Sequence, residues 1–159
     1  MYLESWQKNY RFMGECHVIG LRHTGIYVKN LEEMIYFYRE LFDLKVVVRQ
    51  QEKGVYTDTI FNERNVDIQV CKLEFKNRTM IELIQFAHTD ALPDWSEKIY
   101  RCGKMHIAVT VDSAMEIYHK LKERNCVVLS EPCDSPDGKA RVFFARDPEG
   151  NYLELVEEL

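Results

Sequence analysis

No stretch of this 159-residue chain approaches the roughly 18 to 20 apolar residues needed to cross a bilayer. Nor is there an excess of base. Against 26 Asp and Glu stand 21 Lys and Arg, a net charge of −5. A nucleic-acid backbone is therefore not expected as a partner, because phosphate binding needs a basic stripe. Glu4, Lys8 and Arg11 interrupt the first fourteen residues, which contain no apolar core of the secretory kind. No CxxC pair occurs among Cys16, Cys71, Cys102, Cys126 and Cys133. An odd set without metal or redox spacing reads as reduced, mostly buried small hydrophobes in a cytoplasmic protein. With 46% hydrophobic and 30% charged residues, the chain has a globular balance. Its length suits one domain, or two small halves around a shared core.

What the chain does contain is a repeat. His23, in Leu21-Arg22-His23-Thr24-Gly25-Ile26-Tyr27-Val28, recurs 83 residues later as His106, in Lys104-Met105-His106-Ile107-Ala108-Val109-Thr110-Val111. At the same offset Asn30 and Glu33 become Ser113 and Glu116, an N-cap followed three positions later by glutamate. Leu31, Met34, Ile35 and Tyr38 become Ala114, Ile117, Tyr118 and Leu121, the i, i+3, i+4, i+7 spacing of one apolar helix face. Extended segments follow at 45–49, 66–75 and 79–86, and again at 127–130, 141–145 and 152–157. Both copies thus read β-α-β-β-β. The polar stretch 50–65 is an insertion in the first copy, with room for a short strand of its own. The expected organisation is an extension (1–18), a first module (19–87), a linker (88–103) and a second module (104–159). The two modules form one integrated α+β domain.

Glutamate repeats as well, in Met80-Ile81-Glu82-Leu83-Ile84 and Tyr152-Leu153-Glu154-Leu155-Val156. Side chains alternate across a strand. Met105, Ile107, Val109 and Val111 therefore pack under the helix while His106 and Ala108 face away, and Ile26 and Val28 oppose His23, Gly25 and Tyr27. The residue two after each histidine is small, Gly25 or Ala108. A carboxylate between apolar neighbours is costly to bury unless paired or bound to a metal. Taken singly, each of these residues reads as a structural histidine or a solvent-facing glutamate. Four at matching repeat positions point instead to a shared metal site on a concave, helix-free face. Two imidazoles and two carboxylates suit Ni, Co, Zn, Mn or Fe as divalent ions.

The segments His23-Thr-Gly-Ile-Tyr-Val-Lys-Asn-Leu-Glu, Phe37-Tyr-Arg-Glu-Leu-Phe, His106-Ile-Ala-Val-Thr-Val-Asp and Arg146-Asp-Pro-Glu-Gly-Asn-Tyr-Leu-Glu-Leu resemble the vicinal oxygen chelate superfamily. The resemblance covers residues 19–157. It implies two paired βαβββ modules forming a cupped, eight-stranded mixed sheet with helices on the convex side. It implies a divalent metal ion on His23, Glu82, His106 and Glu154, the full set being most similar to glyoxalase I. A homodimer is expected, since some relatives build the site across the subunit interface. Glu40 stands where glutathione-using glyoxalases carry an arginine, with Arg39 one residue early, which counts against glutathione.

Such a site implies a lyase or isomerase that moves a proton on a small substrate with adjacent oxygens, Glu154 and Glu82 serving as bases. The alternatives are an isomerase like methylmalonyl-CoA epimerase and a non-catalytic, bleomycin-resistance-type binding protein. A thiol transferase or oxygenase fits less well, because Glu82 would fill a coordination place those chemistries keep open. Lys104, Tyr27, Tyr56, Phe144 and the loop 133–139 are further candidates to border the pocket. Asp147 and Glu149, in the turn Asp147-Pro148-Glu149-Gly150-Asn151, read as structural.

Overall fold

In each repeat the first strand lies parallel to the last, and the helix makes the crossover. The first repeat runs β1 (Thr24–Tyr27), α1 (Leu31–Phe42), β2 (Lys45–Lys53), α2 (Val55–Phe61), β3 (Asp67–Glu74) and β4 (Met80–Phe86). The second runs β5 (His106–Thr110), α3 (Ala114–Glu123), β6 (Cys133–Asp134), β7 (Ala140–Arg146) and β8 (Tyr152–Glu158). The computed structural model describes residues 17, 19–88, 99 and 102–159, so most of the expected extension and linker lies outside the described residues. The eight strands form two four-stranded mixed sheets, ordered β1-β4-β3-β2 and β5-β8-β7-β6. β1–β4 and β5–β8 are the parallel pairs, and the rest are antiparallel.

Both crossover helices start where their caps dictate. Asn30 Oδ1 accepts from Glu33 N at 3.3 Å, and Ser113 Oγ from Glu116 N at 3.3 Å. A residue three past each repeated glutamate adds a second cap. Gln85 Oε1 accepts from Leu31 N at 2.7 Å, and Glu157 Oε2 from Ala114 N at 2.8 Å. The last strand of each module thus ties down the N-terminus of the crossover helix, satisfying amide donors the helix leaves open.

Leu31, Met34, Ile35, Phe37, Tyr38 and Leu41 of α1 are buried, as are Ala114, Ile117 and Leu121 of α3. They share one core with Ile26, Val28, Leu73, Leu83, Phe143, Leu153 and Leu155, so the two modules are packed together. Each such side chain contributes about 1.5–3 kcal/mol of burial before conformational entropy is subtracted.

Three local expectations need correction. The insertion holds the helix α2 rather than a strand, and β2 runs on to Lys53. The expected strand at 127–130 is only a single bridge, Val128 to Ala145, with β6 displaced to Cys133–Asp134. Met105 lies before β5 and is 79% exposed instead of packing under α3. Nor are the cysteines mostly buried. Of the described ones only Cys71 is, Cys126 is half-buried, and Cys102 and Cys133 are exposed; all four are free thiols.

The turn Asp147–Asn151 latches the modules together. Asp147 is 1% exposed, and both its oxygens are used. Oδ1 accepts from Glu149 N (3.0 Å) and Asn151 N (2.8 Å), and Oδ2 from Asn151 Nδ2 (2.8 Å) and Tyr38 Oη (2.8 Å). Gly150 closes the turn at φ 90°, a conformation that favours glycine. The Glu149 carboxylate reaches across to Lys29 N and Asn30 N, each at 2.7 Å, and sits at the positive end of α1. Burial raises the Asp147 pKa above the ordinary carboxylate value despite these hydrogen bonds. Burial, then the Asp147 charge, hold the Tyr38 phenol well above its usual value.

Tyr38→Phe should therefore cost about 1 to 3 kcal/mol at pH 7, since Asp147 loses a buried donor. The folded state favours the neutral phenol, so this group's contribution is complete below about pH 10 and is lost as pH rises further. The variant should show a flatter alkaline decline in urea-unfolding free energy than wild type. Parallel declines would contradict this account.

Candidate metal-binding site

The parallel register explains why a small residue follows each histidine by two. Gly25 stands directly beside Glu82, and Ala108 directly beside Glu154. With no bulk between them, each glutamate reaches back to the imidazole. His23 Nε2 lies 2.9 Å from Glu82 Oε2, and His106 Nε2 lies 3.1 Å from Glu154 Oε2. These distances serve a hydrogen bond. They also match two ligands at right angles about one ion, where metal–nitrogen and metal–oxygen bonds of about 2.0–2.2 Å leave the donors about 3 Å apart. His23 Nδ1 is buried with no hydrogen-bond partner, so Glu82 is what orients this ring.

The two pairs differ in their surroundings. The first is the more enclosed, with side-chain exposures of 25% for His23 and 13% for Glu82, against 46% and 25% for His106 and Glu154. Lys72, across the antiparallel β3–β4 ladder from Glu82, places Nζ 3.1 Å from Glu82 Oε1. In the second module the position across from Glu154 is Phe144, whose ring meets His106 edge-on at 5.5 Å. The insertion makes a further difference. α2 covers the far end of the first sheet on the glutamate side, where Val66, Ile68, Val70 and Ile84 are buried with Phe61 and Phe86 against them. Tyr27 and Phe61 flank Phe86 at 5.9 and 5.3 Å. One helix therefore lies on the face expected to be helix-free.

The structure joins the predicted residues two by two. Among the described residues, no group of three or more His, Cys, Asp or Glu side chains comes together closely enough to hold an ion. A cavity of about 830 Å³ opens between the modules, but of the four candidates only His23 borders it. Phe144 lies edge-on against His106. Tyr56 is exposed on α2, and the loop 133–139 closes on itself through Ser135, Asp137 and Lys139. Arg39 and Glu40 are both on the exposed side of α1. Sequence reading missed Lys72, whose neighbours Cys71 and Leu73 are fully buried on the opposite face. That alternation was its available signal.

Gly25→Ala tests whether space or backbone conformation selects glycine beside Glu82. The new Cβ would meet only Ile84 Cδ1, at an ordinary 3.9 Å. The variant should be more stable by about 0.4–1 kcal/mol in urea unfolding, because alanine restricts the unfolded chain. A loss of stability would show a constraint at this position beyond the one described.

A family model described as the Glyoxalase/Bleomycin resistance protein/Dioxygenase superfamily matches residues 20–155. The chain is 25% identical over 141 residues to a lactoylglutathione lyase of Neisseria meningitidis serogroup A, covering 87% of this chain and 90% of that protein. A solved glyoxalase family protein from Bacillus cereus superposes with a TM-score of 0.83 at 19% identity, covering 92% of this chain and 99% of the other. The trypanothione-dependent glyoxalase I of Leishmania major gives a TM-score of 0.61 at 23% identity, covering 87% and 86%. With eight strands, two βαβββ modules and this match along most of its length, the chain belongs to the Glyoxalase/Bleomycin resistance protein/Dioxygenase superfamily.

Proposed function

We propose that this protein is a cytoplasmic, divalent-metal-dependent lyase or isomerase of glyoxalase I type. The observation that carries the reading is the pair of matched His–Glu contacts, each at ligand spacing and each in its own sheet. On this reading a homodimer completes the centre, with His23 and Glu82 from one subunit and His106 and Glu154 from the other. A two-fold axis then creates two equivalent centres. The bound ion would supply Lewis acidity toward two adjacent oxygens of a small substrate.

The chain's own residues do the rest. His23 and His106 present Nε2 as neutral donors. Glu154 has the more exposed carboxylate, paired with His106, which suits removing a proton from the substrate carbon. Glu82, or Glu154 again, returns the proton. Return to the neighbouring carbon gives isomerisation, and return to the same carbon gives epimerisation. The likeness to lactoylglutathione lyases favours a thiol hemithioacetal as substrate, while Glu40 in α1 argues for a thiol other than glutathione.

A non-catalytic binding protein is the second reading. It draws support from Lys72, which already neutralises Glu82 without an ion.

Metal analysis of protein purified without chelator separates the two. About one ion per chain is expected, lost in His23→Ala and in His106→Ala. Mixing those two variants under subunit exchange should restore about a quarter of wild-type metal, because half the dimers are mixed and each carries one intact centre. No recovery would sink the shared-centre geometry, and no metal in wild type would sink the enzyme reading. Solvent deuterium uptake then sorts the substrate classes. Exchange into 2-oxoaldehyde hemithioacetals supports the glyoxalase type, and exchange into 2-methyl-branched acyl-CoA supports the epimerase type.

A further inference from the structure

The two half-sites came from one template, yet the residues across the ladder from the two glutamates differ. Lys72 and Phe144 occupy equivalent places, each directly across the ladder from the repeated glutamate. Glu154 lies in an equally apolar strand, with Leu153 and Leu155 fully buried on either side, but its side chain is the more exposed, 25% against 13% for Glu82, and Phe144 stands across from it. The lysine is held in place. Its side chain is 20% exposed, on the same face as Glu82, with Nζ 3.1 Å from Oε1. Next along that face come Val70 and Ile84, both buried, and then Phe86, so the ammonium sits at the border between a polar pair and an apolar wall.

We infer that Lys72 is a specificity-determining residue that makes the site select ligands carrying a negative charge beside their adjacent oxygens, the class of 2-oxo and 2-hydroxy carboxylates. The inference rests on the proposed metal centre and shifts its substrate class from a neutral hemithioacetal to an anionic chelator. Two carboxylates balance the charge of a divalent ion, and neutral imidazoles add none. A centre built only from the repeated residues is thus electrically neutral overall, and Lys72 leaves it with one net positive charge. Lysine has three N–H donors, and the contact with Glu82 uses one. The others remain for an anionic oxygen, in partly desolvated surroundings where a charge-assisted hydrogen bond is strong. A neutral ligand with the same pair of oxygens gains nothing from that ammonium.

Wild type, Lys72→Met and Lys72→Arg are loaded with Co²⁺, their metal content is measured, and each is titrated with oxalate and with neutral hydroxyacetone. The Co²⁺ absorption spectrum reports both ligands. Lys72→Met should keep its metal and lose oxalate affinity by about tenfold, the effect of one charge-assisted contact. Its hydroxyacetone affinity should stay within about twofold of wild type on the same reasoning. Lys72→Arg should retain most of the oxalate preference. Equal losses for both ligands, or none for either, in a metal-loaded Lys72→Met would overturn the inference and leave the centre standing. So would Lys72→Arg behaving like Lys72→Met. If wild type takes up no Co²⁺, the centre itself is wrong and the inference falls with it.

Discussion

Parallel pairing of the first and last strand in each module is the constraint from which the rest follows. Parallel neighbours need a crossover, and here the crossover is the amphipathic helix that supplies half of the core. The same pairing sets Gly25 beside Glu82 and Ala108 beside Glu154. The histidine two residues earlier then lies on the glutamate's face at hydrogen-bond range. A shift of one residue would turn the carboxylate into the core. Gln85 and Glu157 guard against such a slip. Each extends from the last strand to cap the crossover helix, so register and helix start are fixed by one strand.

The repeat has diverged around this frame. The first module carries an added helix, a second small core and a lysine on its glutamate. The second has a shorter outer edge and a phenylalanine against its histidine. Divergence is also visible in the latch. Asp147 and Glu149 serve the first module's helix through Tyr38 and the amides of Lys29 and Asn30. The matching turn in the first module holds Asn77, which bonds only to its neighbour Thr79. The modules are therefore joined by a one-sided clamp, and their approach is fixed by buried groups that tolerate little rearrangement.

Much of this was legible in the chain because it depends on local period. Caps, helix faces and the alternation around both glutamates and the first histidine follow from spacing, and the structure repeats them; around His106 it holds from Ile107 onward but not at Met105. What was not legible depends on register or on short segments. α2 spans two turns, begins at Gly54 with no side-chain cap, and sits in a polar insertion that hides it. β6 is held by only two residue pairs across from β7, so no pattern marks its place. Lys72 faces Glu82 only because the turn between β3 and β4 has the length it has. In the one-dimensional sequence they are ten residues apart, and the alternation around Lys72 marks its face but not its partner.

The separation of the two pairs bears on what the chain can do alone. One imidazole and one carboxylate offer an ion two donors, and water would have to supply the rest, which makes for weak and unselective binding. Two such pairs close together make a four-donor set that still leaves two places for a chelating substrate. Each half on its own is stable without an ion, as a hydrogen-bonded pair with its charge partly met. On the proposed reading, assembly of two chains therefore exchanges two local contacts for one shared centre. Affinity for the ion and association of the subunits become linked quantities, each raising the other. Lys72 enters this balance at Glu82, which would then divide its charge between the ammonium and the ion. On that reading the two carboxylates of a completed centre would be unequal, with Glu82 the anchored member and Glu154 the one proposed to move a proton.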